Sequence, residues 1–490
     1  MIHLYLMERN NLKENSSGVI TSYVLVFGAI FLLLLSGLLS FILLQLRQAN
    51  QRVSWNESFE IAEAGVNYYR WCLNNEVEQN CLIEKEYQDS NGNSIGKFSL
   101  QIDSTINCGK RISQKITSTG WTSKFPNIKR KIQITYGRES AAKYSYILND
   151  NVWVGEDHII RGPFHSNGGI RFDGTNQSIV SSAVESWVCT KSFGCGPVGL
   201  PGRGLGLGVC PTDRCQVINQ QCVCPGVFTN TYNPNEDLFS FPIPLFDFNA
   251  ITVDLAQMKS TAQSSGIYLP PSNTINSQGK GYHLIFKNNG TVEVRIITSL
   301  SPTYAYSIEE GWHYDYFTIT SEQVYNTYNI PSTCSAIFIE DNLWPEGEVK
   351  GKIAIASANL INPTLDTDVI LQANIDYSVK DGSDGLTLIG ERNVLIGPNS
   401  PNQMILRGIF VAQKGRFSRN HYPWNIREKL EIYGSIVSNG RVGTKWISGS
   451  QIVSGYLKRE TYVDPYLLYS PPVFTPFVSS QYKIVSWEEL

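Results

Sequence analysis

The longest run of apolar residues lies near the start of the chain. From Val19 to Leu46 the sequence has no Lys, Arg, Asp, Glu or His. A helix rises about 1.5 Å per residue and needs roughly 20 apolar residues to cross a bilayer, so this run can span one. A cleaved secretory signal would have a shorter apolar region of roughly 7–15 residues, followed by a small-residue cleavage site. The pattern therefore predicts a transmembrane helix over residues 19–46.

The helix is expected to continue beyond the transmembrane run as an amphipathic helix. Apolar residues recur there mostly every three or four positions, so they share one helical face. They are Leu46, Ala49, Val53, Phe59, Ala62, Val66 and Tyr69. No proline interrupts Val19–Gln79. We expect one long helix within residues 19–80, about 55 residues and about 80 Å in length.

Alternating apolar and polar positions replace the helical spacing between Lys97 and Tyr136. The stretches FSLQI and KIQITY have a period of two, and turn-forming residues flank them. This period is typical of strands with one buried face. The sequence therefore predicts a region of antiparallel strands over residues 81–140.

A short template recurs in the rest of the chain. Each copy has an apolar residue, a glycine two positions later, a second apolar residue after two more, and a polar turn. The copies are Ile160–Gly169, Leu406–Gly415 and Ile432–Arg441, and related short strands are Ile353–Ile355, Asn374–Asp376 and Val394–Ile396. Such repeated strands are typical of the rungs of a parallel β-solenoid. An ordinary β-sandwich with glycine turns is the alternative.

These patterns predict an α+β, mainly β protein with a large solenoid-like body. We expect the first rungs over residues 141–185, the main solenoid over 346–455 and a C-terminal tail over 456–490. The region 186–345 is expected to be an insertion that contains a cysteine-rich loop and a mixed α/β segment. In that segment Leu255, Met258 and Ala262 have helical spacing, and Lys287–Gly290 is a hairpin turn between Tyr282–Phe286 and Thr291–Val294.

The composition is that of a globular protein with little charge. Of the 490 residues, 42% are hydrophobic and 17% are charged. An average soluble protein has roughly 25% charged residues, so a disordered or coiled-coil chain is disfavoured. The formal net charge of −3 gives no electrostatic footprint for nucleic acid. We therefore expect no nucleic-acid partner.

The ten cysteines are concentrated in one glycine-rich stretch. Cys189, Cys195, Cys210, Cys215, Cys222 and Cys224 lie in it, and the others are Cys72, Cys81, Cys108 and Cys334. A loop-rich segment of this kind cannot build a core, and an even number of cysteines in a membrane-anchored chain favours disulfides. Zinc is the competing interpretation, but no histidine lies among these cysteines. Six cysteines allow 15 pairings, and the sequence selects none of them.

Catalytic motifs are weak throughout the chain. A Ser-His-Asp set is superficially offered by Asp157, His158, His165, Ser166 and Asp173. No Gly-x-Ser-x-Gly elbow surrounds the serine, and the repeat template accounts for His165 and Ser166 as rung residues. We therefore expect no catalytic residues.

Two further clusters of polar residues suggest a binding site, but each has a simpler structural interpretation. The segment Glu309–Asp315 gathers carboxylates, an imidazole and aromatic rings, as a sugar-binding loop does, but a solvated turn is the simpler interpretation. Asp376, Asp381 and Asp384 are spaced as in calcium loops, yet the EF-hand order and its final Glu are missing. We expect a turn there, and no metal or cofactor.

The start of the chain resembles a type IV pilin precursor. A short polar leader ends at Gly18, the apolar helix begins at Val19, and this helix becomes amphipathic before a β-rich body. The segment Ala62-Glu63-Ala64-Gly65 resembles the signature of pilus-assembly proteins of the PilX N-terminal class. The resemblance implies that a prepilin peptidase cuts after Gly18, so that Val19 is the first residue of the mature protein.

One position departs from the pilin pattern. Major pilins generally carry Glu at the fifth mature position, where it neutralises the N-terminal amine of a neighbouring subunit. That position here is Tyr23. An unpaired buried amine is costly, so efficient polymerisation into a filament shaft is not expected. The resemblance therefore implies a minor pilin that primes assembly or sits at the tip.

The predicted function is structural rather than enzymatic. We expect a minor pilin-like component of a type IV pilus or related filament, anchored by one N-terminal helix, with its body exported to the cell surface or pilus. The implied partners are other pilin subunits, the assembly machinery, prepilin peptidase and the membrane, with surface glycans or a host-cell surface as adhesion targets. The alternative is a surface-anchored β-helix protein that binds or cleaves polysaccharide. Only a cluster of Asp or Glu with Arg or Lys on adjacent rungs would favour an enzyme that cleaves polysaccharide, and the rung templates instead put mainly Asn, Gly, Ser and Gln at those corners.

Overall fold

The structure, a computed structural model, describes residues 16–195, 210, 214–362, 364–449 and 451–490, without the side chains of 16–19, 250 and 251. The chain forms two compact units. The first comprises the residues up to Gln101 with Ile116–Gln133 and Trp487–Leu490. The second comprises Ile102–Lys115 and Ile134–Ser486.

The protein is mainly β, with one long helix at its start. The α-helices are α1 Ser16–Asn74, α2 Phe248–Ile251, α3 Leu255–Ser265 and α4 Ser272–Ile275. The strands are β1 Glu84–Gln88, β2 Ser94–Asn107, β3 Lys110–Thr122, β4 Lys129–Ser140, β5 Tyr146–Leu148, β6 Val152–Val154, β7 His158–Arg161, β8 Phe164–Ser166, β9 Ile170–Phe172, β10 Thr175–Asn176, β11 Val180–Ser182, β12 Ser186–Cys189, β13 Gln216–Ile218, β14 Gln221–Pro225, β15 Val227–Phe228, β16 Phe239–Ser240, β17 Ile267–Leu269, β18 Tyr282–Lys287, β19 Thr291–Ser307, β20 Gly311–Asn329, β21 Ala336–Ile339, β22 Leu343–Val349, β23 Lys352–Ser357, β24 Val369–Leu371, β25 Ile375–Tyr377, β26 Gly385–Gly390, β27 Val394–Ile396, β28 Gln403–Ala412, β29 Phe417–Ser418, β30 Ile426–Ser438, β31 Lys445–Ser448, β32 Gln451–Tyr462 and β33 Phe477–Glu489. The α+β, mainly β class predicted from the sequence is confirmed.

In the first unit, α1 packs on the sheet through small residues. A Cβ added at Gly120 of β3 would overlap the backbone of Ser58 and Ala62, so helix and strand touch there without intervening side chains. The Ser58 hydroxyl donates to the carbonyl of Ile128 at 3.0 Å. Gly65 similarly leaves room for the ring of Phe98. Close backbone approach of this kind needs residues with little or no side chain.

The buried face of α1 differs from the predicted one at its N-terminal end. Ala62, Val66 and Tyr69 are buried as expected, whereas Leu46 and Val53 are exposed. The buried stripe instead consists of Ser54, Ser58, Ile61, Ala62, Gly65, Val66, Tyr69, Cys72 and Leu73. The spacing of apolar residues could not identify Ser54 and Ser58 as part of the buried face, because both side chains are polar. Ser58 is buried because its side chain is small enough for the close contact with Gly120.

Strands β1–β4 and β33 form a sheet in the order β1-β2-β3-β4-β33. Strand β1 is antiparallel to β2, with Glu84 opposite Ser99. A two-residue connection joins β2 to its neighbour β3, which requires the two strands to run antiparallel. Strands therefore occupy the region 81–140, where the alternating pattern predicted them.

The core of the second unit is built from parallel strand ladders. The first ladder has the order β16-β11-β8-β5-β30-β28-β26-β23-β21-β17. The second ladder has the order β10-β7-β32-β30-β28-β25-β22-β18. A third, shorter ladder joins β29, β27, β24 and β22.

Apolar residues stack in register along the first ladder. One column contains Ile267, Ile337, Ile355, Leu388, Phe410, Ile436, Tyr146, Phe164, Val180 and Phe239. All except Phe239 are buried. Each strand thus covers the apolar edge of the one before it, and the column extends the core along the whole ladder.

The template copies occupy equivalent positions in these ladders. Gly408 lies opposite Gly434 and Phe410 opposite Ile436, as the sequence alignment of the copies predicts. Both glycines have positive φ, 149° and 141°, and a Cβ at Gly434 would overlap the backbone of Gly408. The repeated glycine is therefore required where the backbone bends between the second and first ladders.

The first ladder is assembled from two chain segments out of sequence order. Strands β5 to β16 form one end of it, and β17 to β30 form the other, so the chain crosses from one end to the other between residues 240 and 267. Both segments advance along the ladder in the same direction. They meet where β30 pairs with β5 and where β32 pairs with β7, a place we call the junction.

The predicted region boundaries need correction in three places. The region 186–345 is not a single insertion, because β17, β18, β21 and β22 pair within the ladders. These strands lack the template glycine, which is why the repeat did not reveal them. The region 456–490 is not a simple tail, because β32 extends to Tyr462 in the second ladder and β33 joins the five-stranded sheet. Helix α1 ends at Asn74 rather than near residue 80.

The short elements predicted inside the inserted region are present. Helix α3 buries Leu255, Met258 and Ala262, the three residues with helical spacing. Strands β18 and β19 form the expected hairpin, with Tyr282 opposite Ile296. The hairpin continues into a much longer one, because β19 and β20 comprise 17 and 19 residues.

Candidate functional site

The N-terminal half of α1 is an exposed apolar surface. Its large side chains from Ile20 to Leu46 are exposed, and Leu33 reaches 72%. Over the described residues, α1 is the one helix long and apolar enough to cross a membrane. Monomeric soluble proteins rarely expose a contiguous apolar patch of more than a few hundred Å². This surface needs either lipid or other apolar helices around it.

The predicted processing site lies at the beginning of this helix. Gly18 and Val19 are within α1, which begins at Ser16, but the side chain of Val19 and residues 1–15 of the predicted leader lie outside the described part of the chain. Tyr23, the fifth position after the predicted cleavage, is 59% exposed on the apolar half. Cleavage after Gly18 stays a prediction.

The Ala62-Glu63-Ala64-Gly65 segment has a packing role in the first unit. Ala62 and Gly65 face the sheet and are buried, whereas Glu63 is exposed and Ala64 is half-buried. Residues three apart lie on one helical face, so a small residue at each of these two positions produces one flat strip against β3. The geometry accounts for the alanine and the glycine of the motif.

The Ser-His-Asp residues are not brought together. His165 lies 3.1 Å from the Ser181 hydroxyl and 3.0 Å from the Asn167 amide oxygen, and Ser166 donates to the carbonyl of Asp150. Burial lowers the pKa of His165, which favours the neutral ring. The contacts of this histidine are structural ones within the ladder.

The remaining members of that set are engaged elsewhere. Asp173 accepts hydrogen bonds from Arg171 at 2.7 Å and from the Trp153 indole at 2.8 Å. His158 lies 3.0 Å from the Thr461 hydroxyl, and burial lowers its pKa well below the ordinary value. Asp157 forms ion pairs with the side chains of Lys445 and Arg459 at the junction. No nucleophile and base share a hydrogen bond among these five residues.

The aspartates that were spaced as in a calcium loop accept hydrogen bonds from N–H donors. Asp384 accepts from the backbone of Gly351 and of Val379, both at 2.7 Å. Asp376 accepts from Arg407 at 2.7 Å and from Lys380 at 2.8 Å. Carboxylate oxygens so occupied are not arranged to ligate a cation, and the segment is a turn between strands.

All ten cysteines form disulfides, which confirms the disulfide interpretation. The pairs are Cys72–Cys81, Cys108–Cys334, Cys189–Cys195, Cys210–Cys222 and Cys215–Cys224. The last three pairs surround a small sheet of β12, β14 and β13 and a core with Trp187, Phe193 and Phe228. Zinc requires thiolate ligands, and cysteines bonded to one another cannot provide them. These disulfides substitute for the large apolar core that the segment lacks.

Acidic and basic residues do cluster in the connections that precede β24, β27 and β29. Lys414 contacts Asp366 at 2.7 Å and Glu391 at 2.8 Å. Arg392 donates through Nε to Asp368 at 2.9 Å, and this hydrogen bonding raises the pKa of the guanidinium. Each of the three carboxylates therefore accepts a hydrogen bond from a cation.

A cavity of about 370 Å³ adjoins this cluster. Strand β20 forms one wall with His313, Tyr314 and Phe317, and the ladders form the other with Trp344 and Arg392. The segment Glu309–Asp315 was expected to be a turn, but only Glu309 and Glu310 lie in the turn, and Gly311–Asp315 belongs to β20 of a long hairpin that was not predicted. The alternation of Tyr304 and Tyr306 with Trp312, Tyr314 and Tyr316 around a Glu-Glu-Gly turn is the signal that would have revealed it.

Comparisons with known proteins found a likeness among solved structures. No family model and no curated protein matches the chain. Among solved structures, the chain is similar to the crystal structure of the competence-associated pilin ComZ from Thermus thermophilus. The identity is 11%, the TM-score is 0.28, and the superposition covers 89% of this chain and 97% of that one. The resemblance to the PilX class therefore stays a prediction.

Proposed function

We propose that the protein is a minor pilin-like component of a type IV pilus or a related filament. The observation that supports this most directly is the division of α1 into two halves. Its first half exposes apolar side chains continuously, and its second half packs on a sheet through Ser58, Ala62 and Gly65. A helix built in this way leaves its first half available to the membrane and then to the apolar helices of a filament.

The free energy available from covering the exposed half is large. Burial of a Leu or Phe side chain contributes about 1.5–3 kcal/mol relative to exposure, and this half presents more than a dozen such side chains. In this proposal a bilayer removes these side chains from water before assembly, and neighbouring helices of the filament do so afterwards. Prepilin peptidase, the assembly machinery and other pilin subunits are accordingly the partners in this proposal.

A minor role fits Tyr23 better than a shaft role does. A phenol cannot neutralise the N-terminal amine of a neighbouring subunit, which would remain charged and unpaired in an apolar filament core. A subunit at the tip or at the start of assembly avoids one of the two contacts that a shaft subunit makes. The body is then carried outward on the cell surface.

We infer that the ladders of the second unit form a parallel β-solenoid. Strands β23, β24 and β25 pair in that order with β26, β27 and β28, which is the stacking of one three-sided coil on the next. The same direction of advance in both chain segments supports a single solenoid built from two pieces. Long, regular solenoid sides are suited to contact with extended partners.

A non-catalytic role is part of the proposal. The charged cluster in the connections before β24, β27 and β29 favours the second candidate, a surface protein that binds polysaccharide. Asp366, Asp368 and Glu391 are each held by Lys414 or Arg392, which supports binding over cleavage. Glycosidases instead need one carboxyl group free to protonate the leaving group and a second to act as base or nucleophile.

N-terminal sequencing of the full chain, extracted from membranes after co-expression with a prepilin peptidase, tests the pilin proposal. The expected first residue is Val19, with a methylated amine. Gly18→Val should block processing, whereas Gly37→Val should not, because a side chain at Gly37 meets no neighbouring atom within 4 Å. An uncut Met1 in the presence of active peptidase would contradict the proposal.

A further inference from the structure

One face of the β19–β20 hairpin is a continuous row of exposed aromatic rings. Tyr304 and Tyr306 of β19 lie opposite Tyr314 and Trp312 of β20. The rings of Tyr304 and Trp312 are stacked at 4.8 Å with planes only 9° apart. Trp312 is 52% exposed and Tyr314 is 60% exposed. Contiguous exposed apolar patches rimmed by polar residues mark interaction surfaces or ligand-binding grooves.

The opposite face of the hairpin fixes this row in place. Asp315 is buried and accepts hydrogen bonds from the Asn420 amide and the Tyr422 hydroxyl, both at 2.9 Å. Tyr306 pairs with His421 through two backbone hydrogen bonds. The aromatic rings are therefore held on a rigid support, so little conformational entropy is lost when a ligand binds.

A cationic cavity of about 70 Å³ lies beside the turn of the hairpin. Arg416, Arg419, Arg441 and Lys445 line it, together with Trp446, whose ring contacts Tyr306 at 5.7 Å. Glu309 is the one carboxylate among its lining residues, and it pairs with Arg416 at 3.0 Å. The aromatic row and the cationic cavity thus form one continuous surface.

Two of these arginines have no carboxylate partner among the described residues. Arg441 donates to the carbonyl of Ser192 and lies over the Phe193 ring. Arg419 is fully buried, donates to Asn425 and Ser454, and its Nε has no hydrogen-bond partner in the described part of the chain. Burial lowers the pKa of Arg441, and it lowers that of Arg419 to about 10. Cations with no carboxylate at ion-pair distance favour binding of an anion.

We propose that this surface binds an acidic polysaccharide, a glycan whose sugars bear carboxylate or sulfate groups. The C–H faces of the sugar rings lie on Tyr304, Trp312 and Tyr314, and an acidic substituent enters the cavity toward Arg441 and Arg416. The inference rests on the proposed surface role and specifies the ligand for it.

The distribution of charge on the protein favours a glycan over nucleic acid. Glu309 and Glu310 stand at the turn between the two strands, and the formal net charge of the chain is −3. A nucleic-acid backbone brings one phosphate per nucleotide and needs a continuous basic track. A glycan with separate acidic substituents needs only a local group of cations beside aromatic rings.

Binding of the full chain in detergent to immobilised polygalacturonate tests the proposal, with neutral dextran and single-stranded DNA as parallel probes. We expect binding to polygalacturonate that weakens with salt, and at least tenfold weaker binding to both other probes. Trp312→Ala and Arg441→Gln should each raise the Kd for polygalacturonate roughly tenfold, about 1.4 kcal/mol. Tyr232→Ala, at a residue 90% exposed elsewhere, and Lys350→Gln are matched controls and should leave the Kd unchanged.

Three outcomes would overturn the inference. They are equal binding to dextran, tighter binding to single-stranded DNA, and wild-type affinity in Trp312→Ala. Because the Trp312 ring is exposed, we expect Trp312→Ala to leave the melting temperature unchanged. An unchanged melting temperature shows that weaker binding by this variant does not result from unfolding. N-terminal sequencing of the same preparation distinguishes the two proposals: a start at Val19 without polygalacturonate binding rejects the glycan inference alone.

Discussion

Asp157 ties together the two chain segments that meet at the junction. Its carboxylate accepts from Arg459 Nε at 2.7 Å and Nη2 at 2.9 Å, and from Lys445 Nζ at 2.6 Å. Arg459 lies on β32 directly opposite His158 of β7. All three charged side chains are largely buried, with 10–14% exposed. We predict that Asp157→Asn will destabilise the second unit selectively.

The expected magnitude follows from the charges that the substitution leaves behind. Removing one partner of a buried ion pair typically costs about 3–5 kcal/mol, because the other charge stays buried without compensation. Burial by itself would raise the pKa of Asp157, but the hydrogen bonds and charges of Arg459 and Lys445 outweigh it and lower the pKa to about 2. A lowering from 3.8 to about 2 corresponds to roughly 2.4 kcal/mol. We therefore expect a loss of about 3 kcal/mol at neutral pH.

The effect must depend on pH in a defined direction. The pKa of Asp157 is lower in the folded chain than in the unfolded chain, so its contribution is fully present above about pH 4. That contribution is lost as the pH falls toward 2 and the carboxyl group becomes protonated. Wild-type and Asp157→Asn proteins should therefore differ in stability at pH 7 and converge near pH 2.

Urea unfolding followed by tryptophan fluorescence at pH 7, 4 and 2 measures this difference. Glu156→Gln is the matched control, because Glu156 is the neighbouring acidic residue and is exposed. The reasoning is refuted if Asp157→Asn lies within about 0.5 kcal/mol of wild type at pH 7, the usual range for surface substitutions. It is equally refuted if the difference persists unchanged at pH 2.

Three further substitutions test other parts of the structure. Leu34→Arg places a charge in mid-span at a cost of about 2.5–3.5 kcal/mol, so less protein should appear in the membrane fraction, and normal fractionation counts against a spanning helix. Gly120→Ala should lower the unfolding free energy of the first unit by about 3 kcal/mol, because its Cβ meets the α1 backbone, whereas Gly443→Ala has free space and should be neutral by chemical denaturation. Replacing Cys108 and Cys334 by serine opens a crosslink with a sequence separation of 226 and should cost about 5 kcal/mol in the chain-entropy model; an unchanged melting temperature would contradict this.

The local sequence pattern was sufficient to predict those elements whose formation depends on residues close together in the chain. The charge-free run from Val19 to Leu46 predicts an apolar helix because helical hydrogen bonds form within the segment itself. The alternation in KIQITY predicts β4, and the spacing of Leu255, Met258 and Ala262 predicts α3. The repeated glycine predicts the equivalence of Gly408 and Gly434, since stacked strands must bend at the same point.

These local patterns could not predict contacts between residues that are far apart in sequence. The hairpin strands β19 and β20 were not recognised along most of their length because their solvent face carries tyrosine and tryptophan rather than polar residues. The serines of α1 were missed because their small size, not their polarity, fits them to Gly120. Disulfide pairing was equally undetermined, since it follows from which loops the fold brings together.

The sequence by itself determined the kinds of element: an apolar helix, alternating strands, a repeated short strand with its glycine, and a cysteine-rich loop. Only the tertiary structure decided that residues 146–240 stack after residues 267–438, and that Asp157 meets Arg459 across 302 positions of sequence. It also decided that Tyr306 and Trp446 lie in one surface beside Arg441. The physical reason is that the type of an element depends on local hydrogen bonding and periodicity. Contacts between residues far apart in sequence depend instead on which apolar surfaces the fold packs against one another.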